Sequence, residues 1–147
     1  MITYYTKEGR FKIDHYDGVP FSKLHRINGP SLIYKNGNKY WYVNGKQHRL
    51  DGPAVILNSG DKVWYKNGEI HREDGPAVIW YDGDEEWWQH GKKHRLDGPA
   101  VVHLYGNKGY WINDKELNTK EIENWIKNNN INLKRKEHQV LFVLRFG

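Results

Sequence analysis

The chain has 147 residues, 37% of them hydrophobic and 14% aromatic, and a net charge of +5. This suffices for one domain with a modest core, whose buried area must come largely from seven Trp and ten Tyr. The lack of Cys excludes disulfides and thiolate metal sites, and the longest strongly apolar run, 140–144, is far too short to span a bilayer. Met1-Ile2-Thr3-Tyr4-Tyr5 does not read as a signal peptide, because no apolar segment follows. A cytoplasmic protein without cofactors is the expectation.

The N-terminal segment, 1–24, reads as a degenerate β cap. Ile2-Thr3-Tyr4-Tyr5 and Phe11-Lys12-Ile13-Asp14-His15-Tyr16 alternate as strands around Glu8-Gly9, and Asp17-Gly18 turns the chain. Gly18 precedes His25 by seven residues, whereas Gly45 precedes His48 by three. Val19-Pro20-Phe21-Ser22 is therefore an insertion.

Residues 25–117 are four units of period 23. The phrase His-Arg-x-Asp/Asn-Gly-Pro opens at His25, His48, His71 and His94. Within each unit a first strand such as Ala54-Val55-Ile56-Leu57 turns at Asn58-Ser59-Gly60-Asp61. Lys62-Val63-Trp64-Tyr65-Lys66 then returns to a second turn at Asn67-Gly68. Asn-Gly tolerates the positive φ of tight hairpins. The spacing predicts a mainly β fold: tandem antiparallel hairpins in an elongated sheet. Asp51, Asp74 and Asp97 are expected to accept backbone N–H groups in their turns, with Arg49, Arg72 and Arg95 paired to them or to a neighbouring unit. The unit Trp64-Tyr65-Lys66-Asn67-Gly68-Glu69-Ile70-His71-Arg72-Glu73-Asp74-Gly75-Pro76-Ala77 resembles the MORN-type repeat, in the variant seen in phage and giant-virus proteins. The resemblance implies an elongated sheet of successive hairpins, a phage or viral source, and a scaffolding role.

The segment 118–147 is expected to form a helix-and-strand cap. Asn118 with Glu121 three residues on reads as an N-cap, and Ile122, Trp125 and Ile126 share one helical face. That places a helix over about 119–128. A last strand over 139–146 follows, apolar on both faces and therefore covered.

Four equivalent histidines invite a metal reading, but two strands per unit separate them by roughly 10 Å, too far to share one ion. A trio of His, Arg and Asp that recurs in every unit also lacks the unique environment that catalysis requires. The leading expectation is a non-enzymatic scaffold that binds another protein, extended by the resemblance to a phage or viral inhibitor of a bacterial immunity component. Residues that break the repeat are the candidate partner contacts: Phe21, Ser22, Lys23, Trp80, Tyr105, Lys134, Arg135 and Lys136. The alternative is a sequesterer of nucleotide or nucleic acid through Arg49, Arg72 and Arg95 beside aromatic rings. A third reading is self-assembly through 140–146.

Overall fold

The computed structural model describes residues 1–147, apart from the side chain of Tyr16. The chain opens with the hairpin β1 (Ile2–Thr6) and β2 (Gly9–Ile13). Unit one contributes β3 (Leu32–Tyr34), β4 (Lys39–Tyr40), β5 (Tyr42–Val43) and β6 (Lys46–Gln47). Unit two contributes β7 (Val55–Ile56), β8 (Lys62–Val63), β9 (Tyr65–Lys66) and β10 (Glu69–Ile70). In unit three the same four are β11 (Val78–Ile79), β12 (Glu85–Glu86), β13 (Trp88–Gln89) and β14 (Lys92–Lys93). Unit four ends the series with β15 (Val101–Val102), β16 (Lys108–Ile112) and β17 (Lys115–Leu117). Helices α1 (Thr119–Asn128) and α2 (Lys136–Phe146) follow.

The expected sheet of successive hairpins is present. Eleven strands form one antiparallel sheet, from β2 at one end to β17 at the other. What the alternation pattern did not resolve is that each returning strand divides in two. Trp41, Trp64 and Trp87 sit at the division. Each donates its N–H to an alanine carbonyl of the next unit (Ala54, Ala77 and Ala100 O), and its own carbonyl accepts the backbone N–H of the histidine that opens that next unit (His48, His71 and His94). The residues beyond the Trp pair within their own unit, so β5–β6, β9–β10 and β13–β14 are separate two-stranded ribbons. Unit four has no following Ala to pull the chain aside, and β16 runs unbroken through Tyr110 into its pairing with β17.

Register sorts the faces. Tyr40, Val55, Val63, Val78, Glu86 and Val101 lie opposite one another along the sheet, and Val55, Val78 and Val101 are buried with Ala54, Ala77 and Ala100 behind them. The other row alternates aliphatic with charged: Lys39, Ile56, Lys62, Ile79, Glu85, Val102. Larger buried side chains gather at the two ends. Ile2, Val19, Leu24 and Leu32 pack under the N-terminal hairpin, and Tyr110, Ile112, Leu117, Ile122, Leu133 and Phe142 pack under the helices.

Three expectations about the two ends are corrected. The second N-terminal strand ends at Ile13, and short 3-10 turns, Tyr16–Gly18 and Phe21–Lys23, follow it. The side chain of Tyr16, read above as part of a strand, lies outside the described residues. The insertion is also longer than four residues. β1 pairs with β3 as β4 pairs with β7, which equates Tyr4 with Tyr40 and Gly9 with Gly45. Gly9 precedes His25 by sixteen residues against three for Gly45 and His48, so thirteen residues are extra.

The third correction is the last segment. Residues 139–146 are helical, not a strand, and belong to α2. Phe142 is fully buried, its ring 6.3 Å from Trp125 and 6.2 Å from Tyr110, and Phe146 lies 5.3 Å from Trp125. A strand would set residues 142 and 146 about 13 Å apart. A helix stacks them one turn apart, so both reach the same indole. The preceding helix matches expectation in both bounds and cap: Asn118 Oδ1 accepts the Glu121 N–H at 3.1 Å.

Candidate functional site

The repeated polar residues form three sets of ties. The first is a histidine ladder. His25, His48, His71 and His94 each accept, at Nδ1, a backbone N–H from the ribbon turn of the unit they open: Asn44 at 3.1 Å, Asn67 at 3.0 Å, His90 at 3.1 Å and Asn113 at 3.3 Å. An Nδ1 that accepts carries no proton, which leaves Nε2 to carry the ring N–H. Burial holds His94 below the ordinary histidine pKa. These donors belong to residues at positive φ, such as Asn67 at 54°, where an Asn-Gly pair is favourable.

The second is a clasp. Arg49, Arg72 and Arg95 donate Nε to Asp51, Asp74 and Asp97 at 2.6–2.8 Å and Nη1 to the carbonyls of Pro53, Pro76 and Pro99 at 2.9–3.2 Å. Each guanidinium also lies 3.8–4.3 Å over the indole of Trp41, Trp64 or Trp87. The aspartates were expected to accept backbone N–H groups; their side-chain partner is instead the arginine two residues earlier, because the Gly-Pro turn folds the two side chains together. The hydrogen bond and charge of that arginine hold the carboxyls of Asp51 and Asp74 below the usual range. The third set links the hairpin tips. Asn38, Asp61 and Asp84 accept the backbone N–H of Asn58, Tyr81 and Leu104 at 2.8–2.9 Å.

Grooves open between consecutive clasps. One of about 730 Å³ lies between Arg49 and Arg72, and one of about 610 Å³ between Arg72 and Arg95. The three arginines read above as ligand contacts therefore line grooves, but two donors of each are held within the fold and carboxylates line the same walls. Among the described residues no group of three or more His, Asp and Glu side chains is arranged to hold a metal ion.

The residues that break the repeat are dispersed. Phe21 is half-buried against Tyr42, while Ser22 and Lys23 are exposed on the insertion. Trp80 and Tyr105 stand at adjacent hairpin tips with Tyr81 and Leu104, and Tyr105 is 94% exposed. Trp80 Nε1 donates to Glu86, which also takes Trp88 Nε1 and Lys93. The Lys134-Arg135-Lys136 cluster is partly neutralised, since Lys134 pairs with Asp97 and Arg135 with Glu137. Lys136 opens α2 and lines an apolar groove of about 370 Å³ with Leu96, Gln139, Val140, Val143 and Leu144.

That groove is the feature that sequence reasoning missed. Val140, Leu141 and Leu144 are exposed on the outward side of α2, and Leu144 is 79% accessible. The i, i+4 spacing of Phe142 and Phe146 was the available signal for a helix whose remaining apolar residues face outward. Tyr81 and Leu104 were also missed; each replaces the Asn58 of unit two at its hairpin tip. No family model, curated protein or solved structure matches the chain. No helix is long and apolar enough to cross a membrane.

Proposed function

We propose that this protein is a non-enzymatic repeat scaffold that binds another protein through the outward face of α2. The observation that carries the reading is the contiguous exposed set Val140, Leu141, Val143 and Leu144 beside Leu96, on a helix anchored by buried Phe142. Exposed apolar patches of this kind mark interaction surfaces. The commitment of His, Arg and Asp to ladders and clasps supports a scaffold in which function lies outside the repeat. The likeness of the 23-residue unit to MORN-type repeats extends the proposal to a viral inhibitor acting on a host immunity protein.

The test is parallel capture from bacterial lysate with wild type and a Leu141→Glu/Leu144→Glu variant. The expected result is one protein retained by the wild type and lost by the variant at unchanged thermal midpoint. Equal capture by both removes α2 from the interface, and capture by neither overturns the reading. The same patch favours a second reading, pairing of two copies through α2. Light scattering across a wide concentration range separates the two, because only self-pairing raises the mass and only then does the double variant lower it.

A further inference from the structure

Arg26 begins the series of clasps and departs from it. Its Nη1 donates to Pro30 O at 3.1 Å and its guanidinium lies 3.9 Å over Tyr5, as in the later units. The aspartate two residues on is missing: that position is Asn28. Among the described residues no carboxylate pairs with Arg26, whereas Arg49, Arg72 and Arg95 each hold one. The fold thus presents one guanidinium in the clasp pose without its counter-ion.

The surroundings add to that charge. A groove of about 470 Å³ runs between the β1–β2 turn and Arg26, and Lys7, Arg10 and His25 share its lining with a single acid, Glu8. Arg10 is the cross-strand partner of Tyr5, so it flanks the ring that Arg26 covers. Glu8 accepts the Thr6 hydroxyl at 2.5 Å. His25 accepts the Asn44 N–H at Nδ1, which leaves its Nε2 proton as a further donor. The groove adjoins β2, the terminal strand of the long sheet, which carries Lys12 on the same face as Arg10.

We infer that this groove binds a carboxylate from an acidic segment of a partner protein, the anion that Asp51, Asp74 and Asp97 supply within the later units. The inference rests on the protein-binding reading above and adds the chemistry of the partner. A guanidinium held flat with free N–H groups matches a carboxylate in a planar, two-bond geometry. A second copy is disfavoured as the occupant, because paired β2 edges would set Arg10 and Lys12 of each copy close together.

The probe is fluorescein-labelled hexaglutamate, with hexaglutamine as the neutral control, followed by anisotropy on the full chain. The expected result is salt-sensitive binding of hexaglutamate only, with affinity about tenfold lower in Asn28→Asp, which supplies the missing carboxylate internally. Lys7→Glu/Arg10→Glu is expected to weaken binding by as much or more while keeping the thermal midpoint. Absence of hexaglutamate binding by the wild type overturns the inference, as does undiminished binding by Asn28→Asp. Displacement of bound hexaglutamate by inorganic phosphate at concentrations below the peptide's own Kd also overturns it, in favour of a phosphate site. None of these failures touches α2, which the Leu141→Glu/Leu144→Glu capture tests separately.

Discussion

His71 is buried, and its Nδ1 accepts the His90 N–H at 3.1 Å. Removing the ring strands that N–H, so His71→Ala is expected to cost about 1–3 kcal/mol, read from the urea midpoint. It should leave both partner surfaces unchanged, since neither includes His71. The ladder also gives a pH dependence whose sign follows from His94. Burial depresses its folded pKa, so on acidification the unfolded chain takes up the proton first. The stability contributed by neutral His94 is complete above the ordinary value of about 6.5 and is lost as pH falls through the folded value. The drop in urea midpoint on acidification should be smaller in His94→Ala than in wild type. Trp64 is half-buried under Arg72 rather than enclosed in a core. Trp64→Ala therefore belongs at the lower end of the range for aromatic deletions, about 3 kcal/mol.

At the scale of elements, glycines with similar φ differ in what surrounds them. Gly45 (φ 74°) lies against the insertion, and a Cβ there would run into the Ser22 carbonyl; Gly106 (φ 92°) has open space. Gly106→Ala should cost about 1–2 kcal/mol of conformational strain alone. Gly45→Ala should cost clearly more, because backbone must move, and denaturant titration of both variants compares them directly. The first turn of α1 was legible because Asn118, Glu121 and the spacing of Ile122, Trp125 and Ile126 agree. The form of α2 was not, because Val140, Leu141, Val143 and Leu144 satisfy an alternating pattern and the deciding contacts, Phe142 and Phe146 on Trp125, are tertiary. The division of each returning strand was hidden for a similar reason: it depends on where the Trp N–H bonds in the next unit. The unpaired Arg26 was visible as Asn28 in place of Asp, but only the observed Nε–Asp bond gives that replacement meaning.

Across the whole molecule the ties recur at fixed distances in sequence: 19 residues for the histidine ladder within each unit, and 13 for the Trp-to-Ala bonds and 20 for the hairpin tips between neighbouring units. Each unit thus bonds to its neighbours alone, as in other repeat arrays, where stability is a sum of unit and interface contributions. Removing residues 54–76 joins Pro53 to Ala77 and recreates the Pro-Ala junction found in units two to four. His48 then meets the His90 N–H in place of Asn67, and Asn38 meets Tyr81 in place of Asn58. The shortened protein should fold, keep its strand and helix signals in circular dichroism, and unfold with a denaturant slope about 15% smaller. Removing 55–76 instead, one residue fewer, leaves Ala54 before Ala77 and shifts the register by one. Side chains alternate across a sheet, so this single extra residue turns the row holding Val78 outward and its charged neighbours inward. The shifted chain should lose cooperative unfolding, although its composition is almost unchanged. If both deletions fold equally well, the period of 23 does not set the register, and the sheet is held by its capped ends alone.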